Sequence, residues 1–255
     1  MKIFFAIIFA IISTGILALG QTGHRITGEL AQRHINSQTQ IALNAILGNE
    51  SLAEVSTYPD EMRASSDHFW KETQRPYHYV TVPVGKTYKE VGAPKQGDAF
   101  YALDKYSKVI KSKSSTKQEK IDAIKLIVHI IGDLHQPLHA GNGEDHGGNR
   151  FKVKFFRKET NLHSVWDTQL IERRHLSFTE WTNWLDKEIT AKDKKNWRSN
   201  DPAVWIEESV KIRDRIYPKD PSISFQYQFK NMPIIQKRLK QAGIRIAYYL
   251  DELLK

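Results

Sequence analysis

There is no cysteine anywhere in the 255-residue chain. That excludes disulfides and any thiolate-bound metal, so a metal ion in this protein must be held by nitrogen and oxygen. Glycine and proline, 14 and 9 residues, are nowhere gathered into a linker, and no segment repeats. A single domain over residues 19–255 is therefore expected. Past the first twenty residues no apolar run is long enough to cross a bilayer, so no membrane span is expected in the mature chain. Apolar residues make up 40%, which excludes global disorder. Acidic residues fall short of basic ones, leaving a formal net charge of +9. That surplus suits a polyanionic substrate or an anionic surface, and equally a plain solvated basic face.

The amino terminus has the pattern of a secretory signal. Lys2 precedes an apolar run that weakens near Ala18-Leu19-Gly20, with no stop-transfer charges behind it. Cleavage after Ala18 makes Leu19 the new amino terminus. Cleavage after Gly20 puts small residues at the usual positions. Residues 1–18 are expected to be removed and the protein secreted or periplasmic.

Most of the remainder reads as helix, so the fold class is mainly α with a short extended element. Helical spacing covers residues 23–34, 37–47, 98–111, 178–189, 202–216 and 233–254. Ser37 with Gln40 and Thr116 with Glu119 have the spacing of capping boxes, and Gly48 and Pro137 act as stops. Asn161 is placed as the cap of a helix over 162–174. A helix starts at 58–63. The proline-bounded segment 75–83 alternates and is expected to be extended, as is 151–156. Residues 141–149 form a glycine-rich loop.

Within this pattern the stretch 127–139 stands out. It carries three histidines and an aspartate in otherwise apolar sequence. His129 and Asp133, four apart, share a helix face. Buried imidazole and carboxylate are costly unless paired or bound to a metal. His163 and Asp167 repeat the spacing on a second helix, and His139 follows Pro137. One such pair is ordinarily an ion pair. Two pairs plus His139, with Asp60, His78 and His24 as further candidates, indicate a His/Asp metal protein. His135 faces elsewhere and is given a structural role. His34, His68, His146 and His175 have polar neighbours and are taken as solvated. Trp166, Trp181, Trp184, Trp197 and Trp205 are assigned to the core.

Gly23-His24, Pro59-Asp60-Glu61-Met62-Arg63, Tyr77-His78-Tyr79, the His129, Asp133 and His139 string with its Gln136-Pro137-Leu138, Gly147-Gly148-Asn149, and His163 with Asp167 occur in an order that resembles the single-strand-specific zinc nucleases of fungi, plants and bacteria (the S-one/P-one nuclease family). The resemblance covers nearly the whole mature chain. It implies a mostly helical fold and three zinc ions. One ion would take Asp60, His78, His129 and Asp133. A second would take His139, His163 and Asp167. The third would take His24, a bridging Asp133, and the amino and carbonyl groups of Leu19. Leu19 is a departure, because the family commonly has tryptophan there; the ligating atoms are backbone atoms, which leucine also supplies. Asp60, Arg63 and Asp133 would serve catalysis. Arg63 would contact phosphate and Tyr79 would stack on a base. The implied activity is endonucleolytic hydrolysis of single-stranded DNA and RNA to 5′-phosphates, with 3′-nucleotidase activity as a further expectation. A monomer with no obligate protein partner is expected. The competing readings are a zinc-dependent phospholipase C, whose enzymes look similar in fold and ligand types, and a non-catalytic zinc-stabilised binding protein.

Overall fold

A computed structural model describes residues 19–255, and the expected signal segment lies outside the described residues. The molecule is built around one helix, Lys117–Leu134. Thr116 caps it: the Thr116 hydroxyl accepts from the Glu119 amide and the Glu119 carboxylate accepts from the Thr116 amide. This reciprocal pair satisfies two amide donors that have no partner within the helix. From Ala123 onward every residue of this helix is buried. A helix apolar on all sides has to run through a core. Burying side chains such as Ile124, Ile127 and Ile131, each 0% exposed, stabilises the fold by roughly 1.5–3 kcal/mol apiece.

Two apolar clusters form the interior. One surrounds the central helix and includes Leu103, Tyr106, Trp205, Ile246 and Leu250. The other joins Leu19, Ile26 and Leu30 to Trp166, Trp181 and Leu239. The first helix, Gln21–His34, packs along the C-terminal helix, Phe225–Leu253, and contributes to both clusters. The candidate metal residues lie where the two clusters meet.

Among the described residues, five short strands complete the fold. β1 (Val80–Thr81) pairs in parallel with β2 (Ala140–Gly141). β3 (Lys152–Phe155) pairs antiparallel with β4 (Lys158–Asn161) and parallel with β5 (Ser222–Ile223). The β1–β2 pair ties the segment after His78 to the segment after His139. Arg213, fully buried, clamps it by donating to the Val82 and Ala140 carbonyls at 2.7 and 2.6 Å.

The mainly α expectation holds, with several local corrections. Residues 75–83 are not extended throughout: Arg75–His78 is a 3₁₀ turn and only Val80–Thr81 is strand. Pro76, read as a strand boundary, instead sits in the first turn of that 3₁₀ segment, where its missing N–H costs nothing. The helix Ser37–Leu47 is capped by Asn36, which accepts from the Thr39 amide at 2.9 Å, and not by Ser37. The C-terminal helix starts at Phe225 and carries Pro233 inside it. The helix after Asn161 widens into a π turn at Val165–Gln169. Trp184 is 49% exposed, while Trp166, Trp181, Trp197 and Trp205 are buried.

A candidate three-ion metal centre

The first helix brings in His24, which is fully buried. Gly132 faces it. A Cβ there would lie 3.1 Å from His24 Nδ1, so glycine lets the first and central helices approach. His24 and His129 stack with ring centroids 3.9 Å apart. One helical turn beyond His129, Asp133 has Oδ2 3.1 Å from His129 Nε2, as the i,i+4 spacing requires.

Asp133 is the hub. Its Oδ2 also lies 3.0 Å from His78 Nδ1. Its Oδ1 lies 3.2 Å from the Leu19 backbone nitrogen, 3.3 Å from His24 Nε2 and 3.5 Å from His139 Nδ1. Asp60 approaches from the short helix Tyr58–Glu61, 3.8 Å from His129 Nε2. On the other side His163 Nε2 is 2.9 Å from Asp167 Oδ2, and His139 Nε2 is 3.5 Å from Asp167 Oδ1. The π turn Val165–Gln169 begins within this pair's span, a feature common at functional sites.

Four of the five rings are oriented from behind. His129 Nδ1 donates to the Ser56 carbonyl, His139 Nδ1 to the His78 carbonyl and His163 Nδ1 to the Gly147 carbonyl, each at 2.7 Å. These bonds fix the Nδ1–H tautomer and turn Nε2 into the cluster, the usual arrangement for a metal-ligating imidazole. Gly147 can present that carbonyl because it sits at φ +61° against Leu138, where a side chain has no room. His78 is turned the other way. Its Nε2 meets Gln74 Oε1 at 2.6 Å, which leaves Nδ1 facing Asp133 and His129. Gln136 donates to Asp167 and accepts from the Leu138 amide. The supporting roles of Gln74 and Ser56 had no signal in the sequence; Gly147 and Gln136 lie inside the strings that carry the resemblance, but no spacing rule marks their roles.

What the cluster lacks is hydrogen-bond partners. Both ring nitrogens of His24, both oxygens of Asp60, His139 Nε2, His163 Nε2 and Asp167 Oδ2 are buried without one. Asp60 Oδ1 does lie 2.9 Å from Arg63 Nη2, but off the line of a hydrogen bond. Buried polar atoms are rarely left unmatched, because each costs about 1–3 kcal/mol. Here they converge. Three groups have ligand atoms within 4.8 Å of one another: His24, His129 and Asp133; Asp60, His78 and His129; and His139, His163 and Asp167. Nitrogen and oxygen donors in this number suit zinc. The donor set therefore fits the cofactor implied by the sequence. The grouping differs in two respects from the expected ligand sets: His129 is within reach of the His24 position as well as the Asp60 position, and Asp133 groups with His24 and His129 but not with Asp60 and His78.

The charges agree with this fit. Burial, reinforced by His129 and outweighing Asp133, lowers the His78 pKa to about 4, so its ring is neutral and free to ligate. Burial also disfavours the His139 cation, but Asp133 and Asp167 outweigh it and hold that pKa up at about 9. Burial would raise Asp167, yet His163 and His139 keep it down at about 2. Asp133 is held well below the usual carboxylate range, with the neighbouring histidines again overcoming burial. The cluster is a site that favours positive charge.

The remaining expected residues lie at its rim. Tyr79 follows His78 and is 47% exposed, and the Arg63 side chain is 29% exposed above Asp60. Of the histidines set aside, His68, His146 and His175 are exposed. His135 is buried away from the cluster. His34 is not solvated: its Nε2 lies 2.8 Å from Asp186 Oδ1.

Curated relatives match the chain over nearly its whole length. Endonuclease 3 of Arabidopsis thaliana is 29% identical over 270 residues, covering 94% of this chain and 90% of its own. Nuclease S1 of Aspergillus oryzae is 27% identical, covering 91% and 90%. Nuclease P1 of Penicillium citrinum is 27% identical over a shorter stretch, 60% and 58%. The sequence model of the S1/P1 Nuclease family matches residues 19–255, which takes in all eight side chains of the cluster, and the chain belongs to that family.

Proposed function

We propose that the protein is an exported zinc endonuclease that cuts single-stranded DNA and RNA to 5′-phosphate products, with 3′-nucleotidase activity at the same site. The observation that carries this is the convergence of unmatched buried His and Asp atoms in three adjoining groups, beside an exposed Tyr79 and a half-buried Arg63. Zinc, when bound, supplies Lewis acidity and lowers the pKa of water. Asp60, His78, His129 and Asp133 would hold one ion, His139, His163 and Asp167 a second, and His24, Asp133 and Leu19 a third. Arg63, already beside Asp60, would present its guanidinium fork to the scissile phosphate. Tyr79 offers an exposed ring on which an unstacked base can lie, and duplex bases are not free to do so. All eight side-chain ligands come from one chain, so a monomer suffices.

Cleavage after Ala18 fits better than cleavage after Gly20. It would free the Leu19 nitrogen 3.2 Å from Asp133 Oδ1. The alternative would discard Leu19, whose side chain is 5% exposed in the second core.

The test compares heat-denatured DNA, RNA, duplex DNA and phosphatidylcholine, each with and without chelator and after zinc is restored. Denatured DNA and RNA should be cut faster than duplex, with 5′-phosphate ends. Chelator should stop the reaction and zinc should restore it. Rapid phosphatidylcholine hydrolysis with neither nucleic acid cut would overturn the reading. Amino-terminal sequencing of the exported protein should begin at Leu19.

A further inference from the structure

A second feature lies outside the metal cluster. The β3–β4 hairpin turns on Phe156 and Arg157, both at positive φ, 49° and 68°. Two-residue turns of this kind favour Asn-Gly, and a bulky residue in the left-handed region costs about 1–2 kcal/mol. What the strained turn achieves is placement. The Phe156 ring carries the Arg173 guanidinium 3.4 Å above its centroid and meets Phe225 edge-on at 4.7 Å. Phe225 is 71% exposed, and Phe229, four residues on along the same helix face, is 85% exposed. Arg157 and Lys158 are exposed at the hairpin tip. Among the described residues, neither they nor Arg173 has a carboxylate within ion-pair distance. The patch thus combines bare phenyl faces with uncompensated positive charge. Arg173 follows Asp167 by six residues along one helical segment, an axial rise of about 9 Å.

We propose that this patch is an accessory platform for single-stranded nucleic acid. Phe225 and Phe229 would stack on bases beyond the cleavage site, while Arg157, Lys158 and Arg173 meet the phosphates that follow. The inference rests on the nuclease reading, and it gives the enzyme a preference for long strands over dinucleotides. An anionic membrane would use the charge. It would also ask for a broader apolar face than two exposed phenylalanines provide.

The test uses the zinc-loaded enzyme with two substrates, a thymidine 20-mer and the dinucleotide TpT, and measures binding of a hydrolysis-resistant phosphorothioate 20-mer by fluorescence anisotropy. Phe229→Ala should weaken 20-mer binding about five- to tenfold and lower the 20-mer to TpT ratio of kcat/KM by a similar factor. Arg157→Gln should reduce the slope of log affinity against log salt by about 0.7. Phe156→Asn with Arg157→Gly, which relieves the turn, should raise Tm while weakening 20-mer binding; a purely structural turn would give the first effect without the second. Unchanged 20-mer binding and an unchanged ratio in both Phe229→Ala and Arg157→Gln would overturn the platform. So would vesicle binding (phosphatidylserine with phosphatidylcholine), or dimerisation, that Phe229→Ala abolishes while 20-mer binding persists. If the wild type binds the 20-mer through these residues yet cuts neither substrate, the nuclease reading has failed and the platform has not.

Discussion

Two buried polar clusters sit at neighbouring positions of the same stretch, and they are finished in opposite ways. His129 and Asp133 belong to the metal cluster. His135, two residues on, caps the central helix and turns into the other side of the core. Its Nδ1 donates to the Ile131 carbonyl at 2.7 Å and its Nε2 accepts from Arg245 Nη1 at 3.0 Å. Arg245 forks onto Glu208 at 2.6 and 2.8 Å, and Arg238 joins Glu208 at 2.6 Å and Ser209 Oγ at 2.7 Å. Every polar atom of His135, Arg238 and Arg245 is matched within the protein. In the metal cluster seven imidazole and carboxylate atoms are left over. Three histidines and an aspartate within thirteen residues look alike in sequence. The partners separate them: a closed network is structure, and converging unmatched donors mark a site for a ligand the chain does not itself supply.

The sharpest way to break that comparison is Asp133→Asn. Five groups meet this carboxylate, and an amide cannot replace its charge. Loss of residues that merely support a ligand costs about 10–100-fold, so loss of the hub should exceed 100-fold in DNA hydrolysis. Zinc per chain should fall with it. Full zinc content in the variant would remove Asp133 from the centre.

Arg245→Met tests the other cluster. It leaves the Glu208 carboxylate with one arginine and His135 Nε2 without its donor. Breaking a buried ion pair costs about 3–5 kcal/mol, and the lower end applies because Glu208 is one-third exposed. Thermal unfolding should shift down by about 6–12 °C, at about 2–4 °C per kcal/mol for a chain of this size. Zinc per chain should not change. A variant that folds and loses zinc would mean that the two clusters are coupled and the distinction is false.

How much of this was legible in the sequence depends on the reach of each contact. His129 with Asp133, and His163 with Asp167, could be paired from spacing alone, because a helix turns four-residue intervals into neighbours. Thr116 with Glu119 was legible for the same reason. Asp60, His78 and His24 could be flagged as ligand types but not assembled, since the folding that brings His78 to Asp133 spans 55 residues. His34 looked solvated because its partner, Asp186, lies 152 residues away. The partner of His135 is 110 residues distant, so its structural role could be guessed but not explained. Proline misled twice. At Pro76 it opens a 3₁₀ turn where a strand boundary was read, and at Pro233 it lies inside a helix long enough to survive one missing hydrogen bond. Trp184 shares helical spacing with Trp181, and spacing does not say which edge of the helix meets the core.

The smallest effect is in pH, and the closed cluster contributes to it through Glu208 and His135. Burial would raise Glu208, but Arg245 and Arg238 hold its pKa at about 2, against an ordinary 4.5. In the unfolded chain Glu208 takes up a proton near pH 4.5, while in the folded chain it resists until about 2. The stability it contributes is therefore complete above pH 4.5 and is lost as pH falls toward 2. Discounted for its exposure, that is about 1–2 kcal/mol. His135 acts in the same direction from a higher pH. Burial, with Arg238 and Arg245, holds its pKa well below 6.5, so the unfolded state gains a proton there that the folded state refuses. Unfolding midpoints in denaturant, followed downward from pH 7, should fall first below 6.5 and again below 4.5. Glu208→Gln should shrink the lower step, to which Asp133 and Asp167 also contribute, while lowering stability at pH 7. If the lower step survives undiminished in that variant, carboxylates elsewhere carry the acid limb, and the Arg245–Glu208 fork is worth less than its geometry suggests.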